Sequence, residues 1–239
     1  VPFSYPYPRP AVSCDVVVFT MRHDDLAVLL VRRRDEPFKG SWALPGGFLN
    51  ENESLERAAT RELYEETGVS SVKLEQLATF GDPGRDPRGH TVTVAWLTFL
   101  VAEVTIVAGD DAAEAAWHPL RTLDIEGVRG SSSKKSAKKK EKPSKRKGVR
   151  LAFDHAKIIA MAYQRLCRHL DTPLRDVAFD LLPPRFTLAE LRRTYEVVFG
   201  KKITPHMVKK QLVVRGLVVP ATSKPAPKPS AQLYRWNRR

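Results

Sequence analysis

The sequence predicts an α/β protein made of two units, and three observations support that reading. Residues 1–172 alternate strand-like runs with two amphipathic helices, residues 173–239 combine capped helices with short terminal strands, and the charge divides along the same boundary. The chain of 239 residues has a formal charge of +13. Outside a Lys-rich stretch at 131–150, the first unit holds 16 Lys and Arg against 22 Asp and Glu. The stretch itself holds 10 against 1, and residues 173–239 hold 14 against 4. An acidic unit joined to a basic one implies two tasks, with a polyanion as the natural partner of the basic part.

In chain order, Ala11–Thr20 and Leu26–Arg33 are rich in β-branched and aliphatic residues and flank a polar turn at His23-Asp24-Asp25, which reads as a hairpin. Ser41–Pro45 leads into the pair Gly46-Gly47. Ser54–Thr67 is free of Gly and Pro and ends at Gly68, the pattern of a helix with a glycine C-cap. Val72–Phe80 reads as a strand, Gly81–His90 as a turn-rich loop, Thr91–Ala102 as a second strand and Ala115–Leu120 as the last. The apolar run Thr91–Gly109 resembles a membrane span in hydropathy alone, but its Thr and Val alternation and Glu103 favour a strand. A helix is expected over Asp154–Leu170, with Asp154 as N-cap and Phe153 and Ile158 as a hydrophobic staple.

Because that helix belongs to the first unit, Ser131–Arg150 becomes an insertion within it. It has no apolar periodicity and is expected to be disordered. Two readings of it stay open: a tolerated surface insertion, or an arm that binds phosphates without regard to sequence. Cys14 and Cys167 lack metal-ligand spacing and are expected to be free thiols in a reducing compartment. Residues 1–10 lack the layout of a signal peptide, so a cytoplasmic protein with no membrane association is expected.

The chemistry is concentrated between Gly47 and Val69, which fit G-x5-E-x7-R-E-U-x-E-E-x-G-U (U, aliphatic) at all nine fixed positions. On the helix, Leu55, Ala58, Ala59 and Leu63 form an apolar face. Glu62, Glu65 and Glu66 (i, i+3, i+4) fall on the same side, while Glu56, Arg57, Thr60 and Tyr64 take the other. Carboxylates converging on a semi-buried side repel one another and lose solvation. A hard divalent cation such as Mg²⁺ or Mn²⁺ resolves that conflict with oxygen ligands, which makes Glu62, Glu65 and Glu66 the expected metal ligands.

The complete motif resembles a Nudix box, the signature of enzymes that hydrolyse a diphosphate joined to another group. The resemblance implies a Nudix αβα sandwich on a mixed sheet running to about Asp171. It also implies that the carbonyl of Gly46 joins the metal ligands, that Glu53 and Arg61 hold the loop to the helix, and that Arg61 orients the neighbouring carboxylates. The catalytic set expected on this basis is Glu53, Arg61, Glu65 and Glu66, with metal-activated water attacking phosphorus. The general base stays open between the loop acids Asp110, Asp111 and Glu114 and the helix residue Glu65.

Residues 173–239 read as a winged helix-turn-helix. Leu174–Leu182 is expected to be a first helix. Thr187–Glu190 is a capping box with Phe186 and Leu191 as its staple, and the helix it starts ends at Gly200. Thr204-Pro205 opens the second helix of the motif, expected to run to Arg215 before Gly216. Leu217–Pro220 and Ala231–Trp236 are expected to pair as wing strands, with 221–230 as the wing tip. His206, Lys209 and Lys210 share one helix face, and Lys201, Lys202, Arg192 and Arg193 lie close by, so these seven are the candidate contacts to double-stranded DNA.

Together the two units are similar to Nudix-related transcriptional regulators of NAD metabolism and to ADP-ribose pyrophosphatases with the same C-terminal winged helix. Tyr7–Pro10, Pro37–Phe48, Phe80–Gly89 and Leu151–His155 carry this likeness. It implies ADP-ribose or a related nucleotide as ligand, a homodimer and operator binding relieved by the ligand. Arg32, Arg33, Arg85 and Arg88 are the candidate diphosphate or ribose contacts. Trp42 and Phe80 are candidates for base stacking or for the core, with the core favoured. Several such regulators have eroded boxes, whereas this box is intact. A hydrolase that also binds DNA is therefore the leading expectation, and a sensor with little or no hydrolysis is the alternative.

Overall fold

The computed structural model describes residues 5–101, 106, 112–126, 128, 149–171, 181–222 and 232–237. Most of the Lys-rich insertion (131–148), most of the expected first helix of the second unit (174–180), most of the wing tip (223–230) and Asp110 and Asp111 lie outside the described residues.

The first unit is built around β1 (Ala11–Arg22), whose central residues from Cys14 to Thr20 are buried, as suits a strand covered on both faces. β1 pairs antiparallel with β2 (Asp25–Arg33) and β4 (Gly46–Phe48), and parallel with β6 (Thr91–Leu100). β3 (Trp42–Ala43) and β7 (Ala112–Pro119) pair with β2, and β5 (Glu75–Phe80) pairs with β6. The sheet is thus mixed, as expected. The hairpin turn holds His23 and Asp24 at positive φ (45° and 64°), the geometry a two-residue turn between twisted strands requires. β5 begins three residues later than the sequence suggested and β7 three residues earlier, the latter because pairing with β2 extends it.

Pleat alternation divides β1 between two cores. Cys14, Val16 and Val18 pack with Ala58, Ala59 and Leu63 of helix α1 (Leu55–Thr67). Val17 and Phe19 pack with Ile158, Ile159, Ala162 and Leu166 of helix α2 (His155–Asp171). A helix on each face gives the αβα sandwich. Ser54 caps α1 through the Arg57 N–H, and Gly68 closes it at φ 72° with its N–H donating to the Tyr64 carbonyl.

The expected start of α2 needs correction. Asp154 stands at the N-cap position, its carbonyl accepting from the Lys157 and Ile158 N–H groups, but its carboxylate accepts both hydrogen bonds of the Arg85 guanidinium, at 2.7 and 3.1 Å. Phe153, at φ 50°, packs with Phe38, Val31, Ala43 and Ala152, apart from the cluster that contains Ile158, so the staple is not made.

In the second unit, α3 (Leu188–Phe199) begins with the complete Thr187–Glu190 capping box and ends at Gly200 in the left-handed region. The next helix is shorter than expected: α4 (Pro205–Val208) is one α-helical turn that continues as a π turn over Lys209–Val213. The wing strands β9 (Val218–Pro220) and β10 (Leu233–Trp236) pair as anticipated, and β10 also pairs with β8 (Phe186–Thr187), a third strand the sequence did not announce. One apolar cluster runs from Val17, Phe19 and Ile158 through Tyr163 to Leu191, Val198, Leu212 and Trp236, so α2 serves both units. The Tyr163 hydroxyl donates to the Val198 carbonyl at 2.6 Å, and Arg193 pairs with Asp24 in the β1–β2 turn.

Leu166 is fully buried beneath this junction and distant in sequence from the carboxylate-rich helix. Leu166→Ala is expected to destabilise the protein by about 2–5 kcal/mol, read from urea unfolding followed by circular dichroism.

Candidate active site

The carboxylates of α1 meet the Gly46–Gly47 turn. The Gly46 N–H donates to Glu66 Oε2 at 2.9 Å. A Cβ on Gly46 would lie 2.1 Å from the Cys14 carbonyl, and one on Gly47 would lie 2.3 Å from Glu62 Oε1. Glycine is needed at both positions because neighbouring backbone and carboxylate occupy the space a side chain would take. Burial pushes the Glu66 carboxyl up to about 8, with Glu62 and Asp15 adding repulsion and the Gly46 N–H opposing it. Burial also raises Glu62.

Arg61 is the opposing charge. Its guanidinium donates twice to Glu53 (2.8 and 2.9 Å), to Glu62 at 2.8 Å, to Glu65 at 3.0 Å and to the Phe48 carbonyl at 3.1 Å. Glu53 also accepts the Asn50 N–H, and the Arg61 bond followed by that one holds it at about 2. The pairing of Glu53 with Arg61 thus ties the loop to the helix. Glu65 is drawn outward by Arg61 and is 52% exposed, unlike Glu62 at 15%. On a helix, Glu65 and Glu66 point about 100° apart, and Glu66 is the one that meets the Gly46 N–H under the turn.

A second cluster forms the floor, and Arg85 is its one member among the sequence-derived site candidates. Asp15 on β1 is buried, with Arg85 3.6 Å and His155 3.5 Å from its carboxylate. His155 Nδ1 accepts the Leu44 N–H at 2.8 Å, and burial lowers its pKa, so the ring is neutral and carries its proton on Nε2, facing Asp15. Arg85 is almost wholly buried in its bidentate contact with Asp154. The signal for Asp15 was present in the sequence, a single acid inside an otherwise apolar strand, but its partners are 70 to 140 residues away.

A cleft of about 170 Å³ opens above this floor, lined among others by Gly46, Glu66, Arg33, Arg85, Arg88 and Phe153. The structure brings all four candidate arginines to it. Arg33 donates to the Pro37 carbonyl and lies 4.9 Å from the Phe153 ring centre. Arg88 forms a two-point contact with Asp86. Arg32 lies at the rim with Glu114 3.7 Å away, which engages that candidate base in an ion pair. Phe80 is in the core, and Trp42 packs against it and edge-on to His118.

The donor set fits a hard divalent cation: two desolvated carboxylates, Glu62 and Glu66, under a glycine turn that leaves them uncovered. Among the described residues no three His, Cys, Asp or Glu side chains are gathered as a ligand set, in keeping with the outward turn of Glu65.

Of the candidate DNA contacts, Lys201, Lys202, His206, Lys209 and Lys210 are exposed around the helix-turn-helix. Arg193 is committed to Asp24, and Arg192 is half-buried with Glu196 3.8 Å away.

Residues 9–139 match the NUDIX domain, and residues 178–236 match the NrtR DNA-binding winged helix domain. The chain belongs to the NUDIX domain family. Over 234 residues this Nudix protein is 32% identical to an ADPR responsive transcriptional repressor of Acinetobacter baylyi, covering 96% of this chain and 83% of that protein. It is 35% identical over 153 residues to an ADP-ribose pyrophosphatase of Methanocaldococcus jannaschii, covering 64% and 73%. Among solved structures, Shewanella oneidensis NrtR complexed with a 27mer DNA is similar at a TM-score of 0.65 and 29% identity, covering 94% of this chain and 93% of that one. The NUDIX domain of the same protein complexed with ADP ribose is similar at 0.54 and 32%, covering 68% and 94%. Among the described residues no helix is long and apolar enough to cross a membrane.

The Glu66 shift makes stability depend on pH. Its carboxyl moves from 4.5 to about 8 on folding, so between those values the folded, metal-free protein holds a proton that the unfolded chain has released. The associated stability is fully present below 4.5 and is lost as pH rises through 8. In chelator, Glu66→Gln is expected to unfold at higher urea than the wild type at pH 8 and at nearly the same urea near pH 5. A gap that does not change with pH would contradict this account.

Proposed function

We propose that this protein is a metal-dependent Nudix pyrophosphohydrolase acting on ADP-ribose or a related nucleoside diphosphate derivative, and that its winged helix binds double-stranded DNA. The observation that carries the enzymatic part is the intact cluster under the Gly46–Gly47 turn: Glu62 and Glu66 desolvated, with Arg61 holding Glu53, Glu62 and Glu65 in place. Nudix hydrolases generally use divalent ions, and Mg²⁺ or Mn²⁺ would be held here by Glu62 and Glu66, with Glu65 reachable by rotation of its exposed side chain. When bound, the cation supplies a Lewis acid and an activated water. The chain's own residues position the reactants. Arg61 fixes the carboxylates, and the His155–Leu44 bond fixes the strand that leads into the turn. Arg33 places positive charge where a diphosphate would lie.

Incubation with ADP-ribose and Mg²⁺ is expected to release AMP, and Glu66→Gln to reduce the rate by about 100-fold or more. Absence of turnover across nucleoside diphosphate derivatives with Mg²⁺ and Mn²⁺ would refute the hydrolase.

A second reading, an ADP-ribose-sensing repressor, is favoured by the apolar cluster that joins α2, at the edge of the cleft, to α3 of the winged helix. A ligand that changes the start of α2 acts on an element both units share. DNA affinity is expected to fall with salt at a log–log slope of about −0.9 per neutralised phosphate. Lys210→Ala is expected to make the slope shallower by about 1, and ADP-ribose to weaken binding, all measured by fluorescence anisotropy.

A further inference from the structure

We propose that Phe48, Arg88 and Phe153 form a stacking platform that receives the nucleobase of the substrate, which makes them specificity-determining residues. This deepens the Nudix reading above and rests on it. The Arg88 guanidinium carbon lies 5.0 Å from the Phe48 ring centre and 5.7 Å from that of Phe153, so one planar cation serves two aromatic rings at the cleft. Asp86 accepts from Nε and one terminal nitrogen of Arg88, which restrains the orientation of its plane. Flat, electron-rich rings stack on such planes.

Two further observations separate this cluster from ordinary packing. Phe48 is 40% exposed and the Arg88 side chain 46%, so neither is held there by burial. Phe153 and Phe38 both adopt positive φ, 50° and 66°, and meet edge to face at 4.8 Å. Bulky residues rarely adopt that conformation, and such strain concentrates at ligand sites. Here it sets the Phe153 ring beside Arg33 and Arg88, away from the core that α2 builds.

The position relative to the carboxylates suits a nucleotide. Phe48 directly follows Gly47, and its own carbonyl accepts from Arg61. A diphosphate at Gly46 and Glu66 therefore has the platform within one nucleoside's reach. Trp42 and Phe80, the aromatic residues that the sequence suggested for this task, are engaged with the core.

The test separates base from diphosphate. AMP carries the base without the diphosphate, and inorganic pyrophosphate the diphosphate without the base. Both are titrated by calorimetry, with Mg²⁺, into the full-length protein, and ADP-ribose turnover is followed in parallel. Phe48→Ala is expected to weaken AMP roughly 5- to 100-fold, the range for loss of one base–aromatic stack, and to raise the KM for ADP-ribose more than it lowers kcat. Pyrophosphate affinity should stay within about twofold, and Phe48→Tyr should restore AMP binding. Phe153→Leu, compared at equal thermal stability, should act in the same direction. Equal losses for AMP and pyrophosphate, or no loss for either with ADP-ribose still bound, would overturn the platform while leaving the hydrolase standing. A wild-type protein that binds neither AMP nor ADP-ribose would overturn both.

Discussion

Glu62 and Glu66 lose solvation beneath the Gly46–Gly47 turn, and that loss is the constraint on which the first unit depends. The fold meets this with two arginines. Arg61 takes the outer side, spreading its donors over Glu53, Glu62, Glu65 and the Phe48 carbonyl. Arg85 takes the inner side, buried between Asp154 and Asp15. The raised Glu66 pKa has burial as its largest cause, and Glu62 and Asp15 add to it. The proposed cation would be held by the same desolvated carboxylates that carry this tension.

The second organising element is α2. Its N-terminal end touches the site through Asp154 and His155, and Lys157 reaches Asp82 in the Gly81–His90 loop at 2.6 Å. One turn further on, Ile158, Ile159 and Ala162 fill the face of the sheet opposite α1, and Tyr163 turns toward α3. One helix therefore contacts catalytic cleft, sheet and winged helix within a few turns. The Asp24–Arg193 pair adds a second tie at the β1–β2 turn, one that a basic-surface argument would assign to DNA.

Legibility in the sequence followed the range of the interactions. Helix α1, its Gly68 cap, the Thr187–Glu190 capping box and the Thr204–Pro205 helix start all rest on contacts within four residues, and all appear where the sequence put them. The Glu53–Arg61 contact spans eight residues and was readable through the motif. Readings failed where a distant partner competed for a local one. Asp154 had the right chemistry for an N-cap, but Arg85, 69 residues away, offered two charge-assisted bonds. Phe153 stood where a staple residue belongs, yet the loop around Phe38 and the arginines of β2 and the Gly81–His90 loop drew it to the cleft. The π turn after Val208 is likewise invisible in composition, because Lys209–Val213 contains nothing that forbids an α-helix.

By itself the sequence determined the α/β class, the two-unit division of charge and the grouping of carboxylates on α1, because periodicity, capping and motif spacing act over short stretches of chain. Only the tertiary structure decided that Glu65 faces outward while Glu66 is buried, that Asp15 and His155 belong to the site, and that Phe48, Arg88 and Phe153 meet at its mouth. Those outcomes depend on which strands pair and where the loops close, and a side chain's partner across the sheet cannot be read from its neighbours in sequence.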